Sequence, residues 1–112
     1  MGAITENVTF THIAREWRCK WSEDADKASL SAAQKVLDAK LAAVKSVKGV
    51  TSVQRVVCGG CQDFKVIVCL NADDFGAWEG AEFAPEKEFL AEITAIEGIK
   101  RVETQTYTLE TI

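Results

Sequence analysis

The sequence has no excess of positive charge. Its 112 residues carry 13 Lys and Arg against 17 Asp and Glu, a net charge of −4. No basic face is evident, which argues against a nucleic-acid partner recruited through phosphate contacts. No apolar run approaches the roughly 20 residues needed to span a bilayer, so no membrane helix is expected. The N-terminal MGAITENVTF lacks a basic segment followed by an apolar one, and Glu6 stands where a myristoylation signal needs Ser or Thr. The expected location is the cytoplasm, or an organelle if a targeting peptide has been removed. There is one histidine, His12, and spacing identifies no nucleophile or orienting partner for it, so Ser–His–Asp chemistry cannot be argued. Asp73, Asp74, Glu79 and Glu82 do not follow a calcium-loop spacing.

What is present describes one soluble domain over residues 1–112. With 47% hydrophobic and 27% charged residues, the chain can build one core but is too short for two. Residues 45–53, KSVKGVTSV, and 94–102, TAIEGIKRV, repeat one pattern, a helix end, a glycine and a strand. Gly49 and Gly98 are expected in the left-handed conformation that stops a helix. The first helix follows Ser22, Asp24 and Asp26, which offer capping and first-turn acids, and it buries Leu30, Ala33, Leu37, Leu41 and Val44 at spacings of three and four. The second starts near Pro85 and buries Phe89, Ile93 and Ile96.

Four strands are expected, at 8–21, 50–57, 64–70 and 100–112. In the first, Ile13, Trp17, Cys19 and Trp21 share a face, and a bulge is expected near Ala14–Glu16. DDFGAWEGAEF, at 73–83, reads as a loop, either a lid over the cavity or an aromatic plug that closes a barrel end or grips the partner subunit. The order β-α-β-β-α-β gives an α+β, ferredoxin-like fold, an antiparallel four-stranded sheet with two helices on one face. Ile67, Tyr107, Leu109 and part of the first strand fall on the other face. That face is expected to pack on a second copy, as a homodimer or higher oligomer with a cavity between the sheets.

CGGCQD, at 58–63, is then the turn of the central hairpin. Gly60-Cys61-Gln62-Asp63 resembles the Gly-x-x-Asp hairpin of the Lrp/AsnC ligand-binding domain. GVTSVQRVVCGGCQDFKVIV and FLAEITAIEGIKRVETQTYTLETI resemble that family's strand–hairpin–strand unit and its last helix and strand. The likeness covers roughly residues 47–112. It implies a dimeric α/β barrel that binds a small effector near the hairpin, with Gly60 and Asp63 beside the pocket. There is no helix-turn-helix segment and no room for one, so transcription-factor activity is not implied.

The candidate site residues carry several readings. Cys58 and Cys61 are incidental thiols in a glycine turn, a reversible disulfide or a soft-metal pair, with Cys19 as a third thiol if the first strand ends beside the third. The glycines are expected to supply the positive φ angles of a two-residue turn. His12 is a general base or ligand contact if it faces a cavity, and otherwise a hydrogen-bonded structural residue. Trp78, with Trp17, Trp21, Phe75 and Phe83, lines a pocket or fills the core. The leading reading is a stand-alone homodimeric barrel binding a small molecule through His12, Gly60, Asp63 and Trp78. The alternatives are a thiol-based redox or soft-metal protein and a small cavity enzyme using His12 for proton transfer. No cofactor is indicated.

Overall fold

The computed structural model describes residues 2–112. The elements run β1 (Gly2–Thr5), β2 (Val8–Phe10), β3 (His12–Lys20), α1 (Asp24–Lys45), β4 (Val50–Cys58), β5 (Asp63–Asn71), α2 (Ala72–Gly80), α3 (Glu86–Thr94) and β6 (Lys100–Leu109). β3, β4, β5 and β6 form one antiparallel sheet in the order β4-β5-β3-β6. With α1 and α3 this is the ferredoxin-like β-α-β-β-α-β arrangement. No helix is long and apolar enough to cross a membrane among the described residues.

The helix-facing side of the sheet holds the core. Period-two alternation puts Trp17 and Cys19 of β3 there with Phe64, Val66, Val68 and Leu70 of β5, all buried. Ala33, Leu37 and Val44 of α1 and Phe89 and Ile93 of α3 close over them, as their spacing predicts. Gly49 and Gly98 have φ of 91° and 95°, the expected helix-stop conformation. Gly49 also has no room for a side chain, since a Cβ there would collide with Asp74.

Several expectations are corrected. The first strand is not continuous over 8–21. It breaks at Thr11, and residues 2–10 form a separate two-stranded hairpin, β1–β2. The break is anchored by the Glu110 carboxylate, which accepts from the Thr11 N–H at 2.7 Å and its hydroxyl at 2.8 Å. The bulge lies at Arg18–Lys20 against β6, not at Ala14–Glu16, and β6 itself stops at Leu109. The stretch after β5 is not a loop: it starts with a third helix, α2, whose Phe75 and Trp78 enter the core. Trp78 meets Phe83 at 5.1 Å and Phe75 edge-on at 6.0 Å, and its indole N–H donates to the Ala84 carbonyl at 2.9 Å. This segment is an aromatic plug rather than an open lid. Finally, the central turn spans four residues, 59–62, and its left-handed residue is Gln62 (φ 61°), not a glycine.

α1 also starts differently. Ala25, Asp26 and Lys27 have φ of 53°, 60° and 63°, so the right-handed helix begins only after them. Neither Asp24 nor Asp26 caps it. Ser29 does the tying, accepting the Ser22 N–H at 2.9 Å while Ser22 Oγ accepts the Asp24 N–H at 3.0 Å.

Candidate functional site

The sheet face away from the helices carries His12, Ala14, Glu16, Arg18 and Lys20 of β3. Cross-strand register adds Asp63, Lys65, Ile67 and Cys69 of β5 and Glu103, Gln105, Tyr107 and Leu109 of β6. Ile67, Tyr107 and Leu109 are therefore on the face expected for them. His12 and Asp63 share this face but lie at its two ends: His12 pairs with Asn71, and Lys20 pairs with Asp63. Eight residues of strand separate the ends, about 26 Å. His12 Nδ1 lies 2.8 Å from Thr11 Oγ1. Trp78 is on the opposite side of the sheet, 4% exposed. The four sequence candidates thus do not converge on one point.

The hairpin end has the stronger geometry. Cys58 and Cys61 face each other across the turn at disulfide distance, with Cα atoms 5.6 Å apart. Lys20 Nζ donates to the Cys61 carbonyl at 2.9 Å and pairs with Asp63 Oδ1 at 2.6 Å. The Trp21 N–H donates to the Gln62 carbonyl at 3.0 Å and its indole to the Asp63 carbonyl at 3.1 Å. The end of β3 therefore holds the turn at four points. The Lys20 hydrogen bond keeps the Asp63 carboxyl below its ordinary pKa, helped by the charges of Lys20, Lys65 and Arg18. Gly59 and Gly60 have nothing within 4 Å of where a side chain would start, so they leave the rim open.

Beside this turn lies a hollow of about 190 Å³ lined by Arg18, Cys19, Lys20, Asp63, Lys65, Arg101 and Glu103. Four of the lining residues are basic and two acidic, in a chain whose net charge is −4. Cys19 does not join the other thiols. It pairs with Phe64 on the helix face, while Cys58 pairs with Asp63 on the open face. Burial, with the nearby Asp63 charge, pushes the Cys19 thiol up to about 11, so it stays protonated at neutral pH. Among the described residues no three His, Cys, Asp or Glu side chains are placed to hold a metal ion.

Two polar networks went unread in the sequence. On the open face Glu16, 5% exposed, accepts from the Tyr107 hydroxyl at 2.9 Å, while its Oε2 makes no hydrogen bond and lies 3.5 Å from Arg18 Nη1. Arg18 Nη2 reaches Glu103 at 3.0 Å, and its Nε, also buried, has no acceptor. Burial, then the Glu16 contact, pushes the Tyr107 hydroxyl up to about 12. On the helix face Arg15 forks onto Glu86 at 2.7 and 3.2 Å, donates to Thr104 and Thr106, and stacks 4.1 Å above Phe83. Glu86 also accepts from the Trp17 indole at 2.7 Å. The alternation Glu16, Arg18, Lys20 was a signal for the first network. The second needed the tertiary approach of α3.

No protein-family model matches the chain, and no curated protein does. Solved structures share its fold. Rv0793 from Mycobacterium tuberculosis is 13% identical with a TM-score of 0.62, over 91% of this chain and 98% of that one. SnoaB from Streptomyces nogalater, a cofactor-independent oxygenase, is 14% identical with a TM-score of 0.59, over 91% and 96%. SO0527 from Shewanella oneidensis is 11% identical with a TM-score of 0.59, over 90% and 93%. At these identities the likeness is one of fold, that of the dimeric α/β barrels.

Proposed function

We propose that this chain is a stand-alone, homodimeric α/β-barrel protein that binds a small molecule at the hairpin end of its open sheet face. The observation that carries this reading is the hollow beside the 58–63 turn, concave, charged and floored by a rigid sheet. Asp63 borders it, and Gly60 keeps its rim clear. The second copy closes the hollow. The open face offers it Leu109 (42% exposed) and Val56 (39%) beside buried polar atoms still short of partners. His12, on the same face, borders the cavity between the two sheets, and Trp78 backs the sheet from behind. The hairpin's likeness to Lrp/AsnC ligand-binding domains supports the same location. Light scattering tests the assembly, with an expected mass of twice the 12.3 kDa chain. A monomer at all concentrations would falsify it.

A second reading has its own observation, the approach of Cys58 and Cys61 to disulfide distance. In it the turn is a reversible thiol switch, opened by a dithiol reductant that takes the disulfide to two thiols and is itself oxidised to a disulfide. Thiol titration separates the readings: two titratable thiols per unfolded chain before reduction and four after it support the switch, and four before reduction sink it.

A further inference from the structure

Resting on the proposed site, we infer that its ligand is a small dianion, a dicarboxylate or a phosphate monoester, held by Lys65, Arg101 and Arg18. The argument is one of charge left over. Of the four cations around the hollow, Lys20 is paired with Asp63, and Arg18 with Glu103 and, at 3.5 Å, with Glu16. Lys65 and Arg101 have no ion pair or hydrogen bond among the described residues. Even with Glu16 counted and Lys65 acting on Asp63 through its charge, cations outnumber carboxylates in this concavity of an otherwise acidic protein, where field lines concentrate. Arg18, whose side chain is 37% exposed, adds its guanidinium charge to the wall of the hollow.

Arg101 is placed by an irregularity in β6. At the bulge, Arg18 pairs with Glu103 but Lys20 pairs with Lys100, so β6 has one residue too many opposite Cys19. Arg101 takes up the excess with φ 53°, a region disfavoured for any residue with a side chain. Bulges re-aim side chains, and this one puts a guanidinium on the rim of the hollow. The hollow is small beside the roughly 300–1,000 Å³ of pockets for drug-sized ligands, which confines the dianion to a few heavy atoms.

The test is calorimetric titration of the full-length protein with succinate, inorganic phosphate and the neutral succinamide. Succinate or phosphate is expected to bind, more weakly as salt rises, and succinamide at least tenfold more weakly than the better of them. Tighter succinate assigns a dicarboxylate, and tighter phosphate a phosphate ester. The K65Q/R101Q double variant should lose about tenfold in affinity, the scale of one charged hydrogen bond, and K35Q on exposed α1 none. A thermal melt of each variant confirms folding. Succinamide matching the anions overturns the dianion and leaves the small-molecule reading standing, as does a dimer that gives heat with none of the three. Silence from all three in a protein that is also monomeric removes both.

Discussion

On one face of the sheet Trp17, Phe64 and Leu70 are sealed under helices, and the indole N–H of Trp17 is paired. On the other face, one residue along, Glu16 and Arg18 are also largely covered, yet each keeps a polar atom without a partner. The first face is finished within one chain. The second has taken on the desolvation of charge without completing its hydrogen bonds. The proposed site lies on the unsatisfied side.

The contrast can be broken or sharpened by substitution. Trp17→Ala should cost about 3–5 kcal/mol, because it opens a cavity against Phe89 and Trp78 and takes one donor away from Glu86. Urea unfolding measures it, and a loss below about 1 kcal/mol would end the claim that this face is the self-sufficient one. Tyr107→Phe removes the one hydrogen bond that Glu16 accepts and should cost about 1–3 kcal/mol.

The pH dependence of Tyr107 has a definite sign. Its hydroxyl is raised from 10.0 to about 12 in the folded chain, so it contributes stability that is complete below pH 10 and lost as pH rises through 12. Tyr107→Phe should flatten that alkaline loss in melts between pH 9 and 12, and an unchanged slope would show the contact to be idle. The smallest effect belongs to the turn. Cys58→Ser with Cys61→Ser should lower stability by on the order of 1–2 kcal/mol, because the loop released is so short. It should lower affinity for the anion more visibly, since the Cys61 carbonyl helps to hold Lys20. Equal affinity with and without the bridge would separate turn and hollow.

The sheet, α1, α3 and the hairpin were legible because each rests on a local rule. α1 has its three-four stripe, and Gly49 and Gly98 mark helix stops that only glycine adopts easily. α2 escaped because nine residues with two glycines, burying only Phe75 and Trp78, give too short a stripe to stand out. The site was less legible than the fold. Asp63 entered the proposed site through the hairpin's resemblance, whereas Lys65 and Arg101 enter it only once β3 brings β5 and β6 together and the bulge turns the chain. Cys19 is instructive in the other direction. Its alternation with Trp17 and Trp21 already placed it on the core face, away from Cys58, and strand geometry outweighed the appeal of a third thiol.

The hydrogen bond from the Trp21 indole to the carbonyl of Asp63 has an optical consequence. Trp17 and Trp78 are fixed to Glu86 and Ala84, far from the turn in the chain's bonding, whereas Trp21 reports on the turn itself. Indole emission depends on what its N–H touches. The protein therefore carries a native fluorophore wired to its hairpin, and the proposed ligand beside Lys20, or a bridge opening at Cys58, should announce itself as a change of colour, with no label attached.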